Sequence, residues 1–150
     1  MAPARSRPFR LSWLLRNRLA LGPAPSRQEH LLLLRDEGCK AMLSLCHASE
    51  LPSLEGLEHD FASLRVPLPD HRSSELLTAE QLEAALQALE QLQQHGPVFV
   101  HCLAARERSP LVCMAWLMRL NGLSRQQALD YVSQVHPGTN PLPQHLSLLG

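Results

Sequence analysis

Pro97-Val98-Phe99-Val100-His101-Cys102-Leu103-Ala104-Ala105-Arg106-Glu107-Arg108-Ser109-Pro110 is the stretch that sets the architecture. Residues 97–101 are a short, mostly apolar run of the kind carried by a strand covered on both faces of a parallel sheet. Pro110 stands where the first turn of a helix tolerates it, and Leu111, Met114, Ala115 and Leu117 or Met118 continue at helical spacing to Gly122. The stretch therefore reads as strand, loop and helix. In α/β proteins the carboxyl end of a parallel strand and the amino end of the next helix meet where ligands bind.

Reading outward from this unit, the pattern alternates. Thr78-Ala79-Glu80-Gln81 is a capping box, and Leu82, Leu86, Leu89 and Leu92 mark one face of a helix that Gly96 ends. Ser26-Arg27-Gln28-Glu29 predicts another capped helix start, with Gly38 as its stop and residues 40–46 as a following strand. Leu54, Leu57 and Phe61 predict a brief helical turn, and residues 62–68 a further strand leaving into the polar loop 67–74. On the carboxyl side, Ser124-Arg125-Gln126-Gln127 caps a helix to about Val135, and residues 140–149 are expected to form a last one. On the amino side, residues 11–15 and 19–22 predict two short strands at the sheet edge around a basic turn. Arginines at 5, 7, 10, 16, 18 and 27, with no acid before Glu29, also match a transit peptide or anionic-surface anchor, but the strand pattern is the stronger signal. The expected fold is α/β and three-layered, a central, mainly parallel sheet of four to five strands flanked by helices. Residues 1–10 are expected to be a flexible terminus and 11–150 a single domain.

Composition removes several classes of function. With 14 Lys plus Arg against 14 Asp plus Glu in 150 residues, the chain lacks the cationic surplus of a nonspecific nucleic-acid binder. No apolar run approaches the roughly 20 residues of a transmembrane helix. The four cysteines, at 39, 46, 102 and 113, form no CxxC pair, so neither a metal site nor a disulfide framework is expected, and free thiols in a cytoplasmic setting are.

Residues 101–109 carry the chemistry. A short loop before a helix can turn several amides inward, and here those of Leu103, Ala104, Ala105, Arg106, Glu107 and Arg108 would cradle a dianion such as phosphate. Cys102 at the base of that cradle sits in positive potential, which favours the thiolate nucleophile. Arg108 can hold two phosphate oxygens bidentately, and the Ser109 hydroxyl is placed to hydrogen-bond the sulfur. His101 points away by strand alternation and is expected to support the loop rather than act as a base. Asp70 follows a strand directly within Pro67-Leu68-Pro69-Asp70, which sets this carboxylate apart from its competitors Asp60 and Glu75. His30, His59, His95 and His145 fall on polar faces and are expected in solvent, while Arg106, His71 and Arg72 could form a basic rim.

The segment His101 to Ser109 (HC-x5-R-S) resembles the signature loop of the cysteine-dependent protein tyrosine phosphatases, and the short chain is similar to their dual-specificity group. Residues 19–22, the stretch to Asp70, His136-Pro137 and Asn140-Pro141 carry the resemblance across nearly the whole chain from Trp13. The resemblance implies a phosphatase domain that works through a phosphocysteine without cofactor. Cys102 would be the nucleophile, Arg108 the phosphate binder, Ser109 the leaving-group helper and Asp70 the acid. It also implies a phosphorylated protein, or another phosphomonoester, as substrate. Three positions depart from the pattern: Ala105 where glycine is usual, Glu107 beside an anion site, and Leu142 near a usual asparagine. Alanine would be strained if that position needs positive φ. Glu107 is expected to pair outward with Arg106 or a neighbouring helix, or else to weaken phosphate binding. The rival readings are therefore a phosphate-binding or protein-interaction module with little turnover, a lipid or sugar phosphatase, and a rhodanese-type sulfur transferase.

Overall fold

The computed structural model describes residues 9–51 and 54–150. Among these residues five strands form one sheet in the order β1 (Ser12–Leu15), β2 (Leu19–Gly22), β5 (Val98–His101), β3 (Ala41–Ser44), β4 (Ala62–Arg65). Only β1 is antiparallel, joined to β2 by a basic turn in which Asn17 takes φ 61°. The two early strands were expected together at the edge. β1 is at the edge, but β2 pairs with β5 in the interior, with Gly22 opposite His101.

Strand alternation divides the core. Leu19, Leu21, Ala41, Leu43, Val98 and Val100 face one side, where they pack with α3 (Ala79–Gln93), α4 (Arg108–Asn121) and α5 (Arg125–Val135). Ala20, Met42 and Phe99 face the other, against Leu31 and Leu34 of α1 (Gln28–Asp36) and Phe61 beyond the short α2 (Leu57–Asp60). Three layers result because each central strand is buried on both faces.

The boxes at Thr78 and Ser124 both form, each hydroxyl accepting an amide and each glutamine reaching back. The box at Ser26 does not. α1 begins one residue later with Arg27 as its cap, and the Ser26 amide donates to His30 Nδ1 at 3.0 Å. The last helix is also shorter than expected: α6 covers only Pro143–Leu146, with Leu142 at the cap position and no side-chain cap. Residues 1–8 of the expected flexible terminus lie outside the described residues. Phe9 packs on the fold, stacking on His30 with ring centroids 4.4 Å apart and lying 5.9 Å from Phe99.

Gly22 ends β2 where a side chain has no room. A Cβ there would lie 2.7 Å from the Arg10 carbonyl and 2.9 Å from the Phe99 ring. Gly22→Ala is therefore expected to destabilise the chain by about 1–3 kcal/mol, read as a lower urea midpoint with an unchanged m-value.

Candidate active site

The loop between β5 and α4 places Cys102 at the end of the central strand and Arg108 and Ser109 in the first turn of α4. Cys102 is 2% exposed at the base of a cleft of about 290 Å³ lined by Asp70, His71, Arg72 and residues 102–104 and 106–108. Ser109 holds the sulfur twice, with its hydroxyl 3.2 Å and its amide nitrogen 3.4 Å from Sγ.

Four carbonyls of this loop are bonded on its outer side. Cys102 O accepts from His101 Nδ1 (3.2 Å), Leu103 O from the Ala24 amide (3.1 Å), Ala105 O from His136 Nε2 (2.8 Å) and Arg106 O from the Asn140 amide (2.6 Å). In a planar trans peptide the carbonyl and the following N–H point in opposite directions. The amides of Leu103, Ala104, Arg106 and Glu107 are thereby turned toward the cleft, forming an anion nest. Ala105 has φ 57° and is buried, so this position does need the left-handed backbone, at a cost of roughly 1–2 kcal/mol for an L-residue.

Arg108 is buried and heavily bonded. Its Nη1 donates to Leu45 O (3.2 Å), Leu68 O (3.3 Å) and Glu50 Oε2 (3.0 Å), and its Nη2 to Glu50 Oε1 (2.9 Å). Glu50 thus occupies the Nη1–Nη2 edge. The Nε–Nη2 edge carries none of these bonds and is the fork that suits two oxygens of a phosphate. Hydrogen bonding to Arg108 holds the Glu50 carboxyl below its ordinary range, outweighing burial.

Asp70 lines the same cleft, its Oδ2 3.8 Å from Arg108 Nη2, whereas Asp60 and Glu75 are exposed and do not line it. Burial pushes the Asp70 carboxyl up. Hydrogen bonds from the Arg72 amide (3.0 Å) and Nε (2.8 Å), with the charges of Arg108 and Arg72, outweigh burial and hold it below the usual carboxylate range. Arg72 also reaches Glu50 at 2.8 Å.

Glu107 pairs neither with Arg106 nor with a neighbouring helix. Its carboxylate accepts from the His71 amide at 3.1 Å and meets His71 Nδ1 at 2.5 Å, linking the loop of Asp70 to the cradle. His71 and Arg72 are consequently committed to acidic partners: the cleft lining sets Arg72, Arg106 and Arg108 against Asp70 and Glu107, and Glu50, outside the lining, pairs with both Arg72 and Arg108. The rim that Arg106, His71 and Arg72 could have made basic thus has acids beside its cations. His145, expected in solvent, is buried, with Nε2 3.5 Å from the Leu77 amide.

His101 faces the opposite side of the sheet from the cleft, in a cavity with Met42, Ser44 and Leu54. Burial lowers its pKa to about 4, so the ring is neutral and donates through Nδ1. The other three cysteines are buried and unpaired. Burial pushes the Cys46 thiol up to about 11 despite Arg108, and that of Cys39 to about 12. Among the described residues, no group of three or more His, Cys, Asp or Glu is arranged to hold a metal ion.

Sequence reasoning missed Glu50, Ala24 and the hydrogen bond from His136 to the loop. Glu50 lies in an irregular loop that no spacing rule addresses. His136 and Asn140 carried a signal only through the resemblance of His136-Pro137 and Asn140-Pro141.

A buried cysteine at the end of a strand, loop amides turned toward one cleft and an arginine in the wall of that cleft form a chemistry suited to an oxyanion, and the chain can be compared with known proteins. Residues 29–149 match the model of the dual specificity phosphatase catalytic domain, and the chain belongs to that family. Human dual specificity phosphatase 28 is 38% identical over 93 residues, covering 59% of this chain and 49% of that protein. Drosophila melanogaster dual specificity protein phosphatase Mpk3 is 34% identical over 93 residues, covering 61% of this chain and 22% of that protein. The chain thus spans half or less of the length of these two relatives. Among solved structures, Tk-PTP in its active form aligns with a TM-score of 0.78 at 27% identity, over 93% of this chain and 92% of that one. A variant of human DUSP28 aligns with a TM-score of 0.73 at 30% identity, over 93% and 90%.

The neutral, buried His101 makes stability depend on acid. In the unfolded chain it takes a proton near pH 6.5, in the folded one only near pH 4. Between these values the unfolded state binds more protons, so stability falls as pH falls, by about 1.4 kcal/mol per pH unit for each such histidine. Burial lowers His136 and His145 as well, and both add in the same direction. Urea unfolding from pH 7 to 4.5 should show this slope, and His101→Asn should flatten it.

Proposed function

We propose that this chain is a cysteine-dependent phosphomonoester hydrolase that acts on phosphorylated tyrosine and on phosphorylated serine or threonine in proteins. The observation that carries the reading is the Cys102 sulfur, held by Ser109 in a cleft that Arg108 also lines, with four carbonyls of the loop bonded away from it. The sulfur attacks phosphorus while Asp70 gives its proton to the departing oxygen, leaving a phosphocysteine. Water then attacks that phosphorus, Asp70 takes the water's proton, and the Ser109 hydroxyl hydrogen-bonds the sulfur as it leaves. No metal or cofactor enters this scheme.

Two features favour turnover over a silent binding module: Ala105 takes the left-handed backbone that the cradle needs, and Glu107 is engaged by His71. The balanced charge of the cleft favours a phosphoprotein over a polyanionic lipid or sugar phosphate. Among the described residues no helix is long and apolar enough to cross a membrane. We assign the chain to the cytoplasm, where its thiols would stay reduced.

Hydrolysis of para-nitrophenyl phosphate and of a phosphotyrosine peptide tests the reading. Cys102→Ser should fall to background on both, and wild-type activity no greater than the mutant's would reject the enzyme. Asp70→Asn should lose about 100-fold on the peptide and much less on the activated aryl ester. The pH profile tests Arg72. Asp70 must be protonated for the first step and Arg72 holds its pKa down, so Arg72→Ala should move the alkaline limb of kcat to higher pH. An unmoved limb would take the acid role away from Asp70.

A further inference from the structure

The nest depends on one peptide whose conformation is unfavourable on its own. Ala105 holds φ 57° although it has a Cβ, and its carbonyl must point outward for the Arg106 amide to point in. The group that meets that carbonyl is His136 Nε2, at 2.8 Å. A carbonyl oxygen can only accept, so Nε2 carries the proton. Nδ1 is then the acceptor of the neutral ring, and it is met at 2.8 Å by the Ser12 hydroxyl, which can donate. Burial favours this neutral form.

The ring is itself fixed. His136 is the C-cap of α5, its amide donates to Val132 O at 2.8 Å, and its carbonyl accepts from the Thr139 hydroxyl at 2.7 Å. Tyr131 of α5 donates to Leu14 O, tying the helix to the strand that carries Ser12. A few residues on, Asn140 holds the neighbouring Arg106 carbonyl.

We propose that His136 is a positioning residue for phosphoryl transfer, holding the Ala105–Arg106 peptide with its amide toward the reacting phosphate, and that Ser12 selects the tautomer that lets it do so. This rests on the phosphatase reading above. His136 works from the outer side of the loop, on a carbonyl rather than on substrate. The tie is specific to the left-handed backbone at position 105, where glycine would stand without strain and would need the clamp less.

The test compares His136→Leu, His136→Gln, Ser12→Ala and the double variant His136→Leu with Ala105→Gly. Vanadate and inorganic phosphate binding are measured by calorimetry, kcat and KM with para-nitrophenyl phosphate, and folding by urea midpoint. His136→Leu should lose about tenfold or more in vanadate affinity, with kcat falling more than KM rises, because an oriented amide matters most when charge builds on the phosphoryl oxygens. His136→Gln places an N–H where Nε2 stood and should keep most of the affinity. Ser12→Ala frees the tautomer and should lose a few-fold, and this variant carries the test if His136→Leu does not fold. Ala105→Gly added to His136→Leu should recover most of the loss, which a role in general packing would not produce. Unchanged vanadate affinity in folded His136→Leu, equal losses in the Leu and Gln variants, or no recovery with glycine would each overturn the proposal. Wild type that binds vanadate without turning over would reject the phosphatase reading and leave His136 to be judged on binding. Wild type that binds no oxyanion would overturn both.

Discussion

A buried guanidinium is the constraint around which the functional half of the molecule is arranged. Arg108 is 4% exposed, and a cation at such a depth is tolerated only when it is paired and hydrogen-bonded. Its partners come from the exits of β3 (Leu45) and β4 (Leu68) and from the loop carrying Glu50. One charge thus ties the connection that follows β3, which carries both Leu45 and Glu50, to the exit of β4. Breaking such a pair by removing Glu50 would leave an uncompensated buried charge, a loss of about 3–5 kcal/mol in comparable cases. Charge neutrality at this depth also explains why an anion site tolerates so many carboxylates. Glu50, Asp70 and Glu107 each answer a basic neighbour, so the cleft meets its substrate with dipoles and one open fork rather than with a broad positive field.

Most of the fold was legible because its signals are local and redundant. The strand at 98–101, the boxes at Thr78 and Ser124, and Cys102 with Arg108 and Ser109 each rest on residue types at a fixed spacing; the strand and the boxes form, and the three side chains are brought together at the head of α4. Ser26 shows where a local pattern fails. The same four-residue box was available, but the chain between β2 and α1 is tied to the active-site loop through Ala24, and the cap moves to Arg27. Partner choice among charged groups was not legible either. Glu107 could have met Arg106, a helix or the loop of Asp70, and only the packing that brings residue 71 beside 107 decides in favour of His71. Glu50 illustrates the same limit, since nothing within its own loop marks it as the counterion of a residue far along the chain.

The departures from the family pattern fit this picture unequally. Ala105 is compensated by a network reaching from β1 to the cradle through Ser12 and His136. Glu107 serves as a link between two loops. Leu142, in contrast, leaves α6 without a side-chain cap, and that helix is a single turn.

The outward bonds of the active-site loop have a consequence for how the chain folds. Ala24, His136 and Asn140 reach it from opposite ends of the sequence, so the nest exists only after contacts of long sequence separation have closed, and these form slowly. No fragment containing the signature loop alone would present its amides inward. An oxyanion in the nest therefore binds the native state and not the unfolded one, and by mass action it raises the apparent stability of the whole chain. Phosphate, the expected product of the reaction, would in this sense act as a folding ligand for the protein that releases it.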